Sequence, residues 1–149
     1  MLFSPLCEQY TATDIPELIP LIRKNVDINF SSSLNSPNIR ATALDWVQLK
    51  NTPQHRRHAT FLMDRVVDVL LVVDCIYHPS LLPSLIETID YLTSPNHTAV
   101  LVVSELRSDQ VMREFLELWL ALPGWVINRI CALISGPYVV WVGWKGSNQ

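Results

Sequence analysis

The segment Asp64–His78, DRVVDVLLVVDCIYH, decides how the rest of the chain is read. From Val66 to Val73 it is almost wholly apolar and rich in Val and Leu, with Asp68 the one interruption. A short, continuous β-branched run without alternation is what a strand covered on both faces requires, as in a parallel sheet flanked by helices. The run stops at Asp74, Cys75, Ile76 and Tyr77, and Pro79 bars its continuation. Open α/β sheets bind ligands at the carboxyl ends of their strands. Asp74 and Tyr77 therefore stand where chemistry is expected.

Outward from this strand the chain alternates between strand and helix signals. Upstream, Tyr10–Thr13 is a short β-type run ending on Asp14. Asp14 and Glu17 have the spacing of a capping box, Pro16 suits a first helical turn, and Leu18, Ile19, Leu21, Ile22 and Val26 form a helical stripe. Ser31–Asn38 is a polar connector, and Ile39–Leu44 alternates before ending on Asp45-Trp46. Residues 47–60, with the HRRH run His55–His58, read as a solvated loop or insertion. Contact of that run with a peptide or RNA is the alternative.

Downstream, Leu82, Leu85, Ile86 and Ile89 predict a helix over Ser80–Leu92, with Pro83 tolerated in its first turn. Ala99–Val103 is a second buried-type strand, ending on Ser104-Glu105. Ser108 suits the N-cap of a helix to Ala121 whose core face is Met112, Phe115, Leu116 and Trp119. Trp125–Cys131 and Tyr138–Trp144 flank a turn at Ser135-Gly136-Pro137 and predict an antiparallel pair. The expected fold is α/β: one domain over residues 1–149, with a mostly parallel sheet and a C-terminal antiparallel strand pair.

Composition narrows the function classes. The chain has 149 residues, 49% of them apolar, enough for one domain with a real core. A net charge of −3 makes no electrostatic case for nucleic acid. Cys7, Cys75 and Cys131 are odd in number and far apart, which indicates neither a disulfide framework nor a zinc site. His55, His58, His78 and His97 lack ligand spacing, so no metal is expected. Cys75 reads as a small buried hydrophobe. No basic-then-apolar leader opens the chain, and the default compartment is cytoplasmic, with the nucleus as alternative. Ala121–Trp144 is apolar enough to suggest a membrane span, but Pro123, Asn128, Arg129, Gly136 and Pro137 interrupt it. It reads better as two strands.

Three segments together resemble a known family: ATDIPELIPLIRKNVDIN (Ala12–Asn29), ALDW (Ala43–Trp46) and VDVLLVVDCIY (Val67–Tyr77). They are similar to the seven-strand, S-adenosylmethionine-dependent protein-lysine methyltransferases of methyltransferase family 16, in particular the fungal members that modify a translation elongation factor. The most specific elements are the D-x-x-Y motif at Asp74–Tyr77 and the threonine-aspartate at Thr13-Asp14. The resemblance implies that S-adenosyl-L-methionine is the cofactor and that a protein, a translation factor among the candidates, is the substrate.

The same resemblance implies roles for individual residues. Asp14 corresponds to the carboxylate that accepts hydrogen bonds from the cofactor ribose, which suits two vicinal hydroxyls; a plain helix cap is the structural alternative. Asp45 and Trp46 correspond to the adenine side, a polar partner for the exocyclic amine and an aromatic wall; the alternative is a surface Asp with Trp in the core. Val73 lies on the cofactor side with them. Val47 stands where family members carry glycine. Asp74 and Tyr77 would face the acceptor, orienting the lysine amine with a carboxylate and an aromatic ring. Their alternative is a turn residue and a packed aromatic.

An absence bears on all of this. The four glycines are Gly124, Gly136, Gly143 and Gly146. A cofactor of this kind needs a glycine-rich turn after a strand so that backbone can approach it closely. The expectation is an N-terminally truncated product or incomplete gene model, lacking the family's first strand, which lies between the strands represented here by Tyr10–Thr13 and Val67–Val73. Unpaired backbone groups at the resulting edges cost on the order of 1–3 kcal/mol each. Binding of S-adenosyl-L-methionine by this chain is then doubtful, and self-association through an exposed sheet edge is expected. The non-enzymatic alternative is a catalytically inactive remnant acting as a protein-binding module.

Overall fold

The computed structural model describes residues 4–30, 38–61, 66–131 and 136–146, and the chain divides into two compact units, Met1–Asp45 and Trp46–Gln149. Most of the polar connector Ser31–Asn38, the first two residues of the Asp64–His78 segment and Ser135 of the expected turn lie outside the described residues.

The smaller unit is a strand–helix–strand crossover. Strands β1 (Tyr10–Asp14) and β2 (Ile39–Ala43) pair in parallel, with Tyr10 opposite Ile39 and Asp14 opposite Ala43. A parallel pair needs a long connection, which helix α1 (Ile19–Phe30) supplies. Its buried stripe is narrower than the sequence suggests: Ile19 and Val26 are buried and Ile22 half-buried, whereas Leu18 and Leu21 are exposed. The expected capping box does not form. A short 3-10 turn, Pro16–Leu18, precedes α1 and has Ile15 at its N-cap without a side-chain bond. Asp14 is still a strand residue, so its Oδ1 accepts from the next amide, Ile15 N–H, at 2.8 Å.

The larger unit holds a four-stranded sheet. Strands β3 (Val69–Val73), β4 (Ala99–Glu105), β5 (Trp125–Arg129) and β6 (Tyr138–Lys145) take the order β3-β4-β6-β5. β3 and β4 are parallel, in register from Val69–Ala99 to Val73–Val103; β6 runs antiparallel to both β4 and β5. The α/β class and the C-terminal antiparallel pair are thus as expected, but the parallel strands fall in two sheets. Helix α4 (Leu82–Leu92) follows a 3-10 turn at Pro79–Leu81 and buries Leu82, Leu85, Ile86 and Ile89 on its predicted face. Helix α5 (Asp109–Leu120) has Ser108 as N-cap, its Oγ accepting from Val111 N–H at 3.4 Å, and buries Met112, Phe115 and Trp119. These residues form one core with Val72, Val100, Val102 and Val139.

Two sequence expectations give way here. Residues 47–60 are not a loop: they lie in helices α2 (Trp46–Asn51) and α3 (Gln54–Thr60), with Leu49 fully buried. Within the HRRH run Arg57 is buried, donating from Nε to the Thr52 carbonyl (2.9 Å) and from Nη2 to the Lys50 carbonyl (3.3 Å) and Glu87 of α4 (2.8 Å). It ties the short helices to the core, while His55, Arg56 and His58 stay exposed. Nor is β3 covered on both faces. It lies at the edge of its sheet, shorter than the apolar run, with Val72 buried but Val69 and Val73 each 56% exposed. An apolar run shows that a strand tolerates burial; its neighbours decide whether burial is reached.

The expected strands form at Trp125–Arg129 and Tyr138–Lys145, and no helix among the described residues is long and apolar enough to cross a membrane.

Candidate acceptor and cofactor-side residues

The chain leaves β3 through a sharp change of direction. Asp74 N–H still donates to the Val103 carbonyl at 2.8 Å, holding the residue to the strand end. Its φ of 53° lies in the left-handed region, which Asp tolerates better than most side chains do. That backbone turns the carboxylate out of the ladder, and the side chain is 47% exposed. Cys75 follows half-buried, its Sγ donating to the Val73 carbonyl at 3.4 Å, and Ile76 is buried, pinning the loop to the core. Tyr77 is 55% exposed on the same loop.

Asp74 shares its surroundings with two charged residues from the end of β4. Arg107 Nη2 donates to Asp74 Oδ2 at 2.8 Å, and Arg107 Nε donates to Glu105 Oε2 at 2.9 Å. The hydrogen bond from Glu105 foremost, then the charge of Asp74, raises the Arg107 guanidinium above its ordinary pKa. This triad went unrecognised in the sequence, although the signal was there. Glu105-Leu106-Arg107 lies at the carboxyl end of the strand paired in parallel with β3, where the rule used for Asp74 applies equally.

The remaining candidates divide between the two units. Asp14 and Asp45 lie in the smaller one, at the carboxyl ends of β1 and β2, where the Leu44 N–H bonds the Asp14 carbonyl at 2.8 Å. The structure thus brings both carboxylates to one end of one parallel pair. Asp14 Oδ1 is taken by Ile15 N–H, and its half-buried side chain leaves Oδ2 for a further donor. Trp46 and Val73 belong to the larger unit. Trp46 opens α2, half-buried against the hydrophobic core, and Val73 ends β3 exposed.

No glycine stands in the described turns that follow β1, β2, β3 or β4, where close backbone approach to a nucleoside-sulfonium cofactor would need one. Glycines with positive φ are Gly124 (78°) and Gly136 (96°), which lie just before β5 and β6. The turns after β1 and β3 carry Ile15 and Asp74-Cys75 in place of glycine. Among the described residues no cluster of His, Cys, Asp and Glu could hold a metal ion.

A family model described as lysine methyltransferase matches residues 6–120. The chain belongs to the lysine methyltransferase family. The match takes in Asp14, Asp45, Trp46, Asp74, Tyr77 and Arg107 and ends before the β5–β6 pair. Among curated proteins, the chain is 30% identical over 118 residues to EEF1A lysine methyltransferase 3 of Xenopus tropicalis, 78% of this chain and 46% of that protein. It is 32% identical over 119 residues to a diaminohydroxyphosphoribosylamino-pyrimidine deaminase of Schizosaccharomyces pombe, 78% of this chain but 26% of that one. The chain has neither the H-x-E nor the P-C-x-x-C sequence of a zinc deaminase. The chain spans less than half the length of either curated relative.

Solved structures agree on the fold. The S-adenosylmethionine-dependent methyltransferase SibL superposes with a TM-score of 0.58 at 15% identity, covering 93% of this chain and 44% of its own. A methyltransferase from Pyrococcus furiosus gives 0.56 at 16% identity, covering 93% and 64%. At such identities the likeness shows the class I methyltransferase fold, and the family match carries the chemistry.

Proposed function

We propose that this chain carries the acceptor side of an S-adenosylmethionine-dependent methyltransferase acting on a lysine side chain of a protein. The observation that carries the reading is Asp74: a half-exposed carboxylate at a strand's carboxyl end, on a left-handed backbone, inside the family-matched region. Methyl transfer to an amine depends on presenting its lone pair in line, so positioning supplies much of the rate. Asp74 orients the amine, and the exposed ring of Tyr77 contacts the ammonium before it loses its proton. Asp14 and Asp45 are assigned to the ribose and adenine, and Trp46 and Val73 to apolar contact with the cofactor, by likeness to the family. The name of the Xenopus relative, an EEF1A lysine methyltransferase, supports a protein of that kind, a translation factor, as substrate.

Because the glycine turn is lacking among residues 1–123, these residues alone bind the cofactor poorly. Calorimetric titration with S-adenosyl-L-methionine is expected to give an affinity weaker than micromolar; micromolar binding would show that another segment replaces the turn. Activity is tested in a fusion in which this chain replaces the 118 matching residues of the Xenopus relative, assayed for label transfer to elongation factor 1A. There Asp74→Ala should lose two decades or more in rate, roughly 3 kcal/mol, with cofactor binding kept. A near wild-type rate would reduce Asp74 to a turn residue.

The same lack of glycine favours a second reading, in which the chain is a non-catalytic remnant that binds a protein partner. Under it the fusion binds elongation factor 1A but transfers no label.

A further inference from the structure

The acceptor carboxylate already carries a cation from its own chain. We propose that Arg107 is a resident counter-ion on Asp74 that an incoming alkylammonium group replaces, so that it sets the threshold for which acceptors enter. The proposal rests on the reading of Asp74 as the acceptor-side carboxylate.

Three features of the Asp74–Arg107–Glu105 group support exchange over a fixed structural pair. Arg107 does not grip Asp74 with its full fork: it gives one nitrogen to Asp74 (2.8 Å) and another to Glu105 (2.9 Å). A two-bond, fork-to-carboxylate contact is the strong arrangement, and a single bond is the weaker one. Next, Arg107 is 54% and Asp74 47% exposed. Exposed pairs change an equilibrium by only about 1.4- to fivefold, so a competing cation can displace one. Finally, the two sides of the bond differ in freedom. Asp74 is held to β4 through Val103, whereas the guanidinium keeps its Nε bond to Glu105 if Nη2 lets go. The carboxylate stays in place and the arginine swings aside without losing its last partner.

This assigns an acceptor chemistry. A neutral side chain gains nothing by displacing a guanidinium from a carboxylate, and an anionic one is repelled by Asp74 and Glu105. A primary alkylammonium, the form in which a lysine arrives, replaces one cation by another. Arg107 stays charged throughout, since both carboxylates raise its pKa.

The test uses the whole chain and needs no cofactor. The backbone amides of residues 74–77, present in every variant, are followed by NMR during titration with Nα-acetyl-lysine N-methylamide, with the norleucine analogue as the uncharged comparison. Arg107→Met, at an exposed position, should bind the lysine probe about two- to fivefold more tightly than wild type. Arg107→Lys should stay near wild type and Asp74→Asn should lose binding. Equal affinity in wild type and Arg107→Met, with binding still lost in Asp74→Asn, overturns the counter-ion role and leaves the acceptor reading standing. Binding unchanged in Asp74→Asn overturns both.

Discussion

Replacing Gly143 by alanine tests the closest contact in the core of the larger unit. Gly143 lies in β6 opposite Val100 of β4 and Ile127 of β5, so strands hold its backbone on both sides. A Cβ at this position would lie 2.5 Å from Cζ2 and 2.9 Å from Cη2 of Trp119, where ordinary contact begins at 3.4 Å. The indole must therefore retreat by close to 1 Å. It has little room, being fully buried with ring centroids 5.5 Å from Phe115 and 5.4 Å from Trp125. Overpacking of this kind costs about 1–3 kcal/mol. The lower backbone entropy of alanine in a strand offsets roughly 0.5–1 kcal/mol of it. A net loss near 1–1.5 kcal/mol lowers Tm by about 3–6 °C for a chain of this size. Thermal melts followed by circular dichroism and tryptophan fluorescence measure it. Trp119→Phe removes the two clashing atoms, so Gly143→Ala should cost at least about 1 kcal/mol less in that background. An unchanged Tm, or strict additivity of the two substitutions, would refute the close-approach argument.

Arg57→Met should lower stability by about 1–2 kcal/mol in urea melts, because it strands two helix-end carbonyls and the half-exposed Glu87. Arg57→Lys should not restore it, since one ammonium cannot span three acceptors; full rescue would show that charge alone matters there. At the β3 edge, light scattering should find the purified chain larger than its 17.0 kDa monomer mass. Val69→Lys and Val73→Lys, both at exposed positions, should shift it toward the monomer. A monodisperse, cooperatively melting wild-type monomer would count against edge association.

Where the candidate residues lie along the strands could be read in advance because those signals are local. Asp74 is marked by where an apolar run ends and Pro79 begins, both properties of neighbouring residues. Asp14 and Asp45 are legible the same way, and parallel pairing of β1 with β2 brings both to the carboxyl end of the pair. Arg107 was missed because its importance comes from a bond across 33 residues, to a strand end that only the β3–β4 pairing brings close. Trp46 takes the place its structural alternative gave it: it packs on the core from the first turn of a helix that the short, mixed sequence of residues 46–51 did not announce.

By itself the sequence determined the α/β class, the faces of α4 and α5, the antiparallel close and the positions of the candidate carboxylates. Each rests on periodicity, capping or turn chemistry within a dozen residues, where backbone and side-chain preferences act directly. Tertiary structure alone decided that β3 is left exposed at Val69 and Val73, that Arg57 is a buried clamp and that Asp74 is already paired with Arg107. Burial depends on which distant segments come to lie alongside, and so does the partner of a charge. An apolar run cannot state whether a neighbour arrives on its open side, nor a carboxylate which cation will reach it.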